Sequence, residues 1–180
     1  MLEELMEYNK KFVENKEYTH LISDKYPRKK LAILTCMDTR LTELLPAALN
    51  LKNGDVKLIK NAGALISSPF GSVMRSLVVA IYELEVEEIL VIGHYDCGIQ
   101  SLDACKLIEK MKKRNISKET IRIIKNSGID LDRWLEGFGN VTSSVKSTVD
   151  IIKNHPLIPN DIEIHGLIID PATGKLDLIK

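Results

Sequence analysis

The chain is short of cysteine, of aromatic side chains, of long apolar runs and of net charge. Three cysteines are an odd number and suggest no disulfide framework. No export signal is evident, so reduced thiols in a cytoplasm are the expectation, and such thiols can bind metal. No apolar stretch approaches the ~18 residues needed to span a bilayer. Lys plus Arg and Asp plus Glu each number 25, so the chain carries no electrostatic footprint for nucleic acid or an anionic membrane. The cationic clusters Arg28-Lys29-Lys30 and Lys110 to Arg114 have acidic neighbours and read as solvated helix ends. The start, Met1-Leu2-Glu3-Glu4-Leu5-Met6-Glu7, is acidic and amphipathic, which fits neither a signal nor a transit peptide. Internal repeats, low-complexity stretches and linkers are also lacking. With 180 residues and 44% apolar content, one domain over 1–180 is expected, residues 1–28 forming an N-terminal helical arm.

What is present is a regular alternation. Leu2, Leu5, Met6, Phe12 and Val13 share one face of an expected helix over 2–18. That face must be buried, either by the chain's own core or by a second subunit. Leu31 to Thr35, Val56 to Ile59, Glu88 to Ile92 and Ile162 to Ile169 are short apolar runs typical of strands covered on both faces. Helices are expected over 41–49, where Pro46 implies a late start or a kink, and over 73–84, 99–113 and 141–153. Ser117-Lys118-Glu119-Thr120 looks like the cap of another helix. Residues 127–140 read as turn-rich, with Trp134 as a core or interface anchor. Lys175 to Ile179 can return antiparallel after the Pro171–Gly174 turn. The class is therefore α/β, a mainly parallel four-stranded sheet with an antiparallel edge strand and flanking helices.

Two strands end in side chains unlike a core. Leu31-Ala32-Ile33-Leu34 runs into Thr35-Cys36-Met37-Asp38-Thr39-Arg40, and Ile89-Leu90-Val91-Ile92 into Gly93-His94-Tyr95-Asp96-Cys97-Gly98. Singly, a strand-end Cys is an ordinary small hydrophobe and Asp-x-Arg an ordinary surface pair. Jointly, at the carboxyl ends of two strands, Cys36, His94 and Cys97 read as a metal site. Soft thiolates and an imidazole suit Zn2+, and three protein donors leave a fourth position open for water. Cys105 falls too far along the expected 99–113 helix to be a fourth ligand, and reads as a packing residue. For one ion to bind Cys36 and His94, the first and third strands must be neighbours. The strand order is then 2-1-3, with the fourth strand following. Asp38 would accept a hydrogen bond from zinc-bound hydroxide while Arg40 holds it ionised; released from Arg40, Asp38 could become a conditional fourth ligand and shut the site. Asp96 is expected to hydrogen-bond loop amides, and His165 to make a core hydrogen bond.

Cys-x-Asp-x-Arg followed by His-x-x-Cys resembles the β-class carbonic anhydrases. The likeness extends to Lys60-Asn61-Ala62-Gly63, Val78 to Tyr82, Val91 to His94, Pro156 to Pro159 and His165 to Asp170, and is similar to the compact archaeal-type branch. The resemblance implies zinc on Cys36, His94 and Cys97, an Asp38–Arg40 catalytic dyad, and reversible hydration of CO2 to bicarbonate and a proton. It also implies a homodimer or higher homo-oligomer with exchanged N-terminal helices, giving the helix over 2–18 a dimerisation role. Ile33 stands where the bicarbonate-inhibited branch carries Trp, so that regulation is not expected. The Ala64–Gly71 loop reads slightly longer than in the compact branch. No histidine sits in the segment just before the first strand to serve as a proton shuttle, since Lys25-Tyr26-Pro27 occupies it; His20 is the nearest candidate, against an ordinary surface role. Hydrolysis of COS or CS2 at an identical zinc site is the competing activity, and a catalytically silent zinc-binding interaction protein the competing class.

Overall fold

The computed structural model describes residues 1–180. Its strands are β1 (Leu31–Cys36), β2 (Val56–Asn61), β3 (Glu88–His94), β4 (Glu163–Ile169) and β5 (Leu176–Ile179). They form one sheet in the order β2-β1-β3-β4-β5. The first four are parallel, and β5 pairs antiparallel with β4. The 2-1-3-4 order, the antiparallel edge and the α/β class are as the sequence led us to expect. The helices are α1 (Leu2–Glu14), α2 (Leu41–Ala48), α3 (Ser72–Leu84), α4 (Ala104–Lys113), α5 (Lys118–Asn126), α6 (Leu131–Leu135) and α7 (Val141–Lys153). None is long and apolar enough to cross a membrane.

β1 is central, and Ala32 through Cys36 are all buried. A strand with partners on both edges and helices on both faces has no solvated side, which is why its sequence does not alternate. On one face Ala32, Leu34, Ile89 and Val91 pack with Leu77 of α3 and Val145 and Ile152 of α7. On the other, Ile33, Ile92 and Ile169 pack with Leu41 and Leu45 of α2. Two glycines let α7 lie directly on the sheet. A Cβ on Gly93 would stand 2.7 Å from Val145 Cγ2, and one on Gly166 would stand 2.8 Å from Val145 Cγ1.

Several local expectations are corrected. The first helix stops at Glu14 because Lys16 turns left-handed (φ 55°), and Glu17–Leu21 continue as a 3-10 turn. No residue of α1 is buried, and Leu2, Leu5, Met6 and Val13 face solvent, so the chain's own core does not take that face. α2 runs through Pro46 without a late start. α4 begins at Ala104 rather than Ile99, because the Asp103 carboxylate accepts the Lys106 amide and caps it there. Cys105, in its first turn, is exposed and not a packing residue. Ser117 does cap α5, its hydroxyl accepting from the Thr120 amide. The turn-rich stretch contains α6, capped by Asp130, whose Leu131 and Leu135 close a third small core with Ala104, Ile108 and Ile121. Trp134 points outward and is not a core anchor. His165 lies half-exposed beside Glu163 and Glu88 at 3.3 and 3.7 Å, and so makes no core hydrogen bond.

Adding a methyl at Gly166 forces Val145 or the α7 backbone to shift. We expect Gly166→Ala to lose about 1–3 kcal/mol in urea unfolding. Combined with Val145→Ala it should cost less than the two single changes summed.

Candidate metal centre

The pairing of Thr35 with Ile92 makes β1 and β3 end almost level. Cys36 is the last residue of β1 and His94 the last of β3. Beyond His94 the chain turns sharply through Asp96, which is left-handed (φ 53°), and returns Cys97 to the same point. The donor atoms of Cys36, His94 and Cys97 all lie within 4.8 Å of one another, and all three residues are buried. Ala64 shares one small core with both cysteines, and Ile99 and Phe138 are partly buried against that core.

Two features test whether this triangle suits zinc. Thiolates ~2.3 Å from a common tetrahedral centre would stand about 3.8 Å apart; the Cys36 and Cys97 Sγ atoms are 3.9 Å apart, with no disulfide between them. His94 Nδ1 lies 2.8 Å from the Tyr95 carbonyl. A carbonyl can only accept, so Nδ1 carries a proton, and in the neutral ring Nε2 is left with its lone pair. That buried Nε2 has no hydrogen-bond partner. An orphaned imidazole nitrogen facing two sulfurs is a donor set that could hold a zinc ion and leave its fourth position open.

The surroundings favour one thiolate at once. Burial pushes the Cys36 thiol up, but His94 and the Gly63 and Asp38 backbone amides outweigh it and bring the thiol down to about 7. Gly63 N–H donates to Cys36 Sγ at 3.4 Å. It can do so because Gly63 is left-handed (φ 90°), in a loop closed by Asn61, which bonds both the amide and the carbonyl of Leu65. Burial, followed by the nearby Cys36 sulfur, pushes Cys97 the other way, up to about 11. A divalent cation would relieve this repulsion by neutralising both sulfurs.

Asp38 stands at the edge of the triangle, Oδ2 3.8 Å from His94 Nε2. Arg40 grips it with three donors: its amide and Nε on Oδ1 at 2.9 and 3.0 Å, and Nη2 on Oδ2 at 2.9 Å. This grip, against an opposing effect of burial, lowers the Asp38 carboxyl to about 2. Asp38 is therefore paired with Arg40 in this structure and ionised throughout the neutral range. Asp96 bonds Arg40 rather than loop amides, through its carboxylate and its carbonyl, both at 2.9 Å.

The structure thus brings together the five residues singled out from sequence: Cys36, Asp38, Arg40, His94 and Cys97. Sequence reasoning missed the supporting roles of Asn61, Gly63 and Tyr95, and gave Asp96 the wrong partner. Gly63 and Asp96 had a partial signal, a Gly and an Asp just where chains turn left-handed. The carbonyl of Tyr95 had none, because any residue supplies one.

Residues 31–176 match the carbonic anhydrase family model. The chain is 55% identical to YtiB, a proposed carbonic anhydrase of Bacillus subtilis (strain 168), over 99% of this chain and 96% of that one. It superposes on the crystal structure of a β-carbonic anhydrase, isoform I of Trichomonas vaginalis, with a TM-score of 0.90 and 37% identity, covering 99% of this chain and 97% of the other. It is also 26% identical to a carbon disulfide hydrolase of Acidithiobacillus thiooxidans, over 82% of this chain and 76% of that protein.

Two outcomes are expected at the centre itself. Purified protein should carry one zinc per chain by elemental analysis, and Cys36→Ser or Cys97→Ser should fall well below that. In the metal-free protein, the Asp38 carboxyl carbon should titrate by NMR near pH 2. Because Arg40 is what depresses it, Arg40→Gln should raise the midpoint toward the ordinary value of about 3.9. The sign follows by linkage: the pair's stabilisation is complete above the ordinary carboxylate range and is lost only as pH falls toward 2.

Proposed function

This chain belongs to the β-class carbonic anhydrases, and on that footing we propose that it catalyses the zinc-dependent, reversible hydration of CO2 to bicarbonate and a proton. The observation that carries the reading is an ionised Asp38 held beside an open triangle of Cys36 Sγ, His94 Nε2 and Cys97 Sγ.

Those three atoms would hold the zinc. When bound, zinc supplies acidification of a water molecule at its open position. The chain's own residues supply orientation. Asp38 accepts a hydrogen bond from the attacking water and aims its remaining lone pair at the CO2 carbon. With a pKa of about 2, Asp38 is too weak a base to keep a proton at neutral pH. It therefore orients, and the proton leaves by another route to buffer. Arg40 keeps the carboxylate anionic and directed. Were Arg40 to release it, Asp38 Oδ2 is near enough to His94 Nε2, at 3.8 Å, to take the open position itself.

The exposed apolar face of α1 supports assembly as a homodimer or larger homo-oligomer in which a second copy covers that face. The free thiols of the centre suit a reducing cytoplasm. Neither nucleic acid nor membrane is a partner in this reading; the substrate is a small neutral molecule.

The sequence similarity to a carbon disulfide hydrolase sustains one second reading, hydrolysis of CS2 or COS with the same residues. Stopped-flow assays of CO2, COS and CS2 on zinc-replete protein separate the two. We expect CO2 to be turned over well above the buffer rate between pH 7 and 9, with CS2 and COS slow. Hydration of CO2 no faster than buffer would overturn the proposal. Asp38→Ala should lower kcat/KM for CO2 by about 100-fold at unchanged zinc content; a wild-type rate would remove Asp38 from the mechanism.

A further inference from the structure

The second acid on Arg40 belongs to no part of the mechanism above. Asp96 sits between His94 and Cys97, and its Oδ2 accepts from Arg40 Nη1 at 2.9 Å while its carbonyl accepts from Arg40 Nη2 at 2.9 Å. Asp38 engages Nε and Nη2. The guanidinium is thus held by two acceptors at each of two edges, one pair from the end of β1 and the other from the end of β3. Its planar fork fits such a double grip, which a lysine could not reproduce.

The backbone at Asp96 is what makes the second grip available. Its left-handed conformation (φ 53°) aims carbonyl and carboxylate at the same group. Asp, Asn and Gly tolerate this conformation better than other residues. The side chain of Asp96 is 86% exposed, so its charge is screened by water and its contribution is mainly geometric.

We infer that Asp96 is a positioning residue: it anchors Arg40 along the Nη1/Nη2 edge, next to the Nε/Nη2 edge that Asp38 holds, so that the arginine stays in place whether or not Asp38 is bonded to it. An anchored Arg40 stands ready for Asp38, and this favours the arrangement in which Asp38 leaves the fourth position open. The functional consequence rests on the roles proposed for Asp38 and Arg40; the anchor itself does not. The competing physical effect has the opposite sign. If Asp96 acted chiefly by neutralising Arg40, its removal would tighten the Asp38–Arg40 pair and open the site further.

Asp96→Gly isolates the carboxylate, because glycine keeps the left-handed turn and the carbonyl bond. Asp96→Asn restores an acceptor of the same length. In metal-free protein, 15N NMR should show Arg40 guanidinium rotation hindered in the wild type and in Asp96→Asn, and measurably faster in Asp96→Gly, where only the bond from Nη1 is lost. In cobalt-substituted protein, azide binding read from the visible spectrum should weaken about threefold to fivefold in Asp96→Gly, the range an exposed ion pair supports, and recover in Asp96→Asn. An Arg40 as hindered in Asp96→Gly as in the wild type overturns the inference, as does azide binding that is unchanged or tighter. If the wild type fails to hydrate CO2 while Asp96→Gly still speeds Arg40 rotation, the functional reading fails and the anchor stands.

Discussion

The site depends on β1 and β3 lying side by side in parallel and ending at the same level. The ladder runs from Leu31 opposite Glu88 to Thr35 opposite Ile92. A slip of one residue would turn the strand-end side chains to the other face of the sheet and separate Cys36 from His94. The register is held by burial on both faces, by the Thr35 hydroxyl donating to the Ile92 carbonyl at 2.9 Å, and by α7 pressed onto Gly93 and Gly166. A bare backbone at Gly93, next to a metal-ligand candidate, is a packing requirement before it is a chemical one.

On that scaffold the chemistry is arranged by charge. Two buried sulfurs 3.9 Å apart cannot both ionise cheaply without a cation, and one is lowered while the other is raised. Beside them a carboxylate is kept anionic by an arginine that is itself held from two strand ends. The centre therefore combines two buried sulfurs that a divalent cation would neutralise with a carboxylate that Arg40 holds at its edge.

How much of this could be read beforehand differs by element. β1 and β3 were plain because an unbroken apolar run is a local signal, and α7 because its apolar residues recur at helical spacing. The order of the strands followed from chemistry, since a shared ion needs its ligands adjacent. α1 was read too long because nothing in Asn15-Lys16 marks a left-handed break as a glycine would. α4 was begun too early because Ile99 and Leu102 extend the apolar pattern, whereas the Asp103 cap starts the helix later. Trp134 as a core anchor, Cys105 as a packing residue and His165 as a core hydrogen-bonder were read from residue type, and tertiary context exposed the first two and left His165 half-exposed.

The sequence by itself determined the class of fold, the strands that carry the donor residues and the identity of those donors, because each depends on local hydrophobic pattern and on side-chain chemistry. Only the tertiary structure decided which imidazole nitrogen is free, that Asp38 is paired with Arg40, and that Asp96 bonds Arg40 rather than loop amides. Those facts depend on where a carbonyl, an amide or a guanidinium from a distant segment comes to rest. Residues 38, 40 and 96 meet only after β1 and β3 have paired.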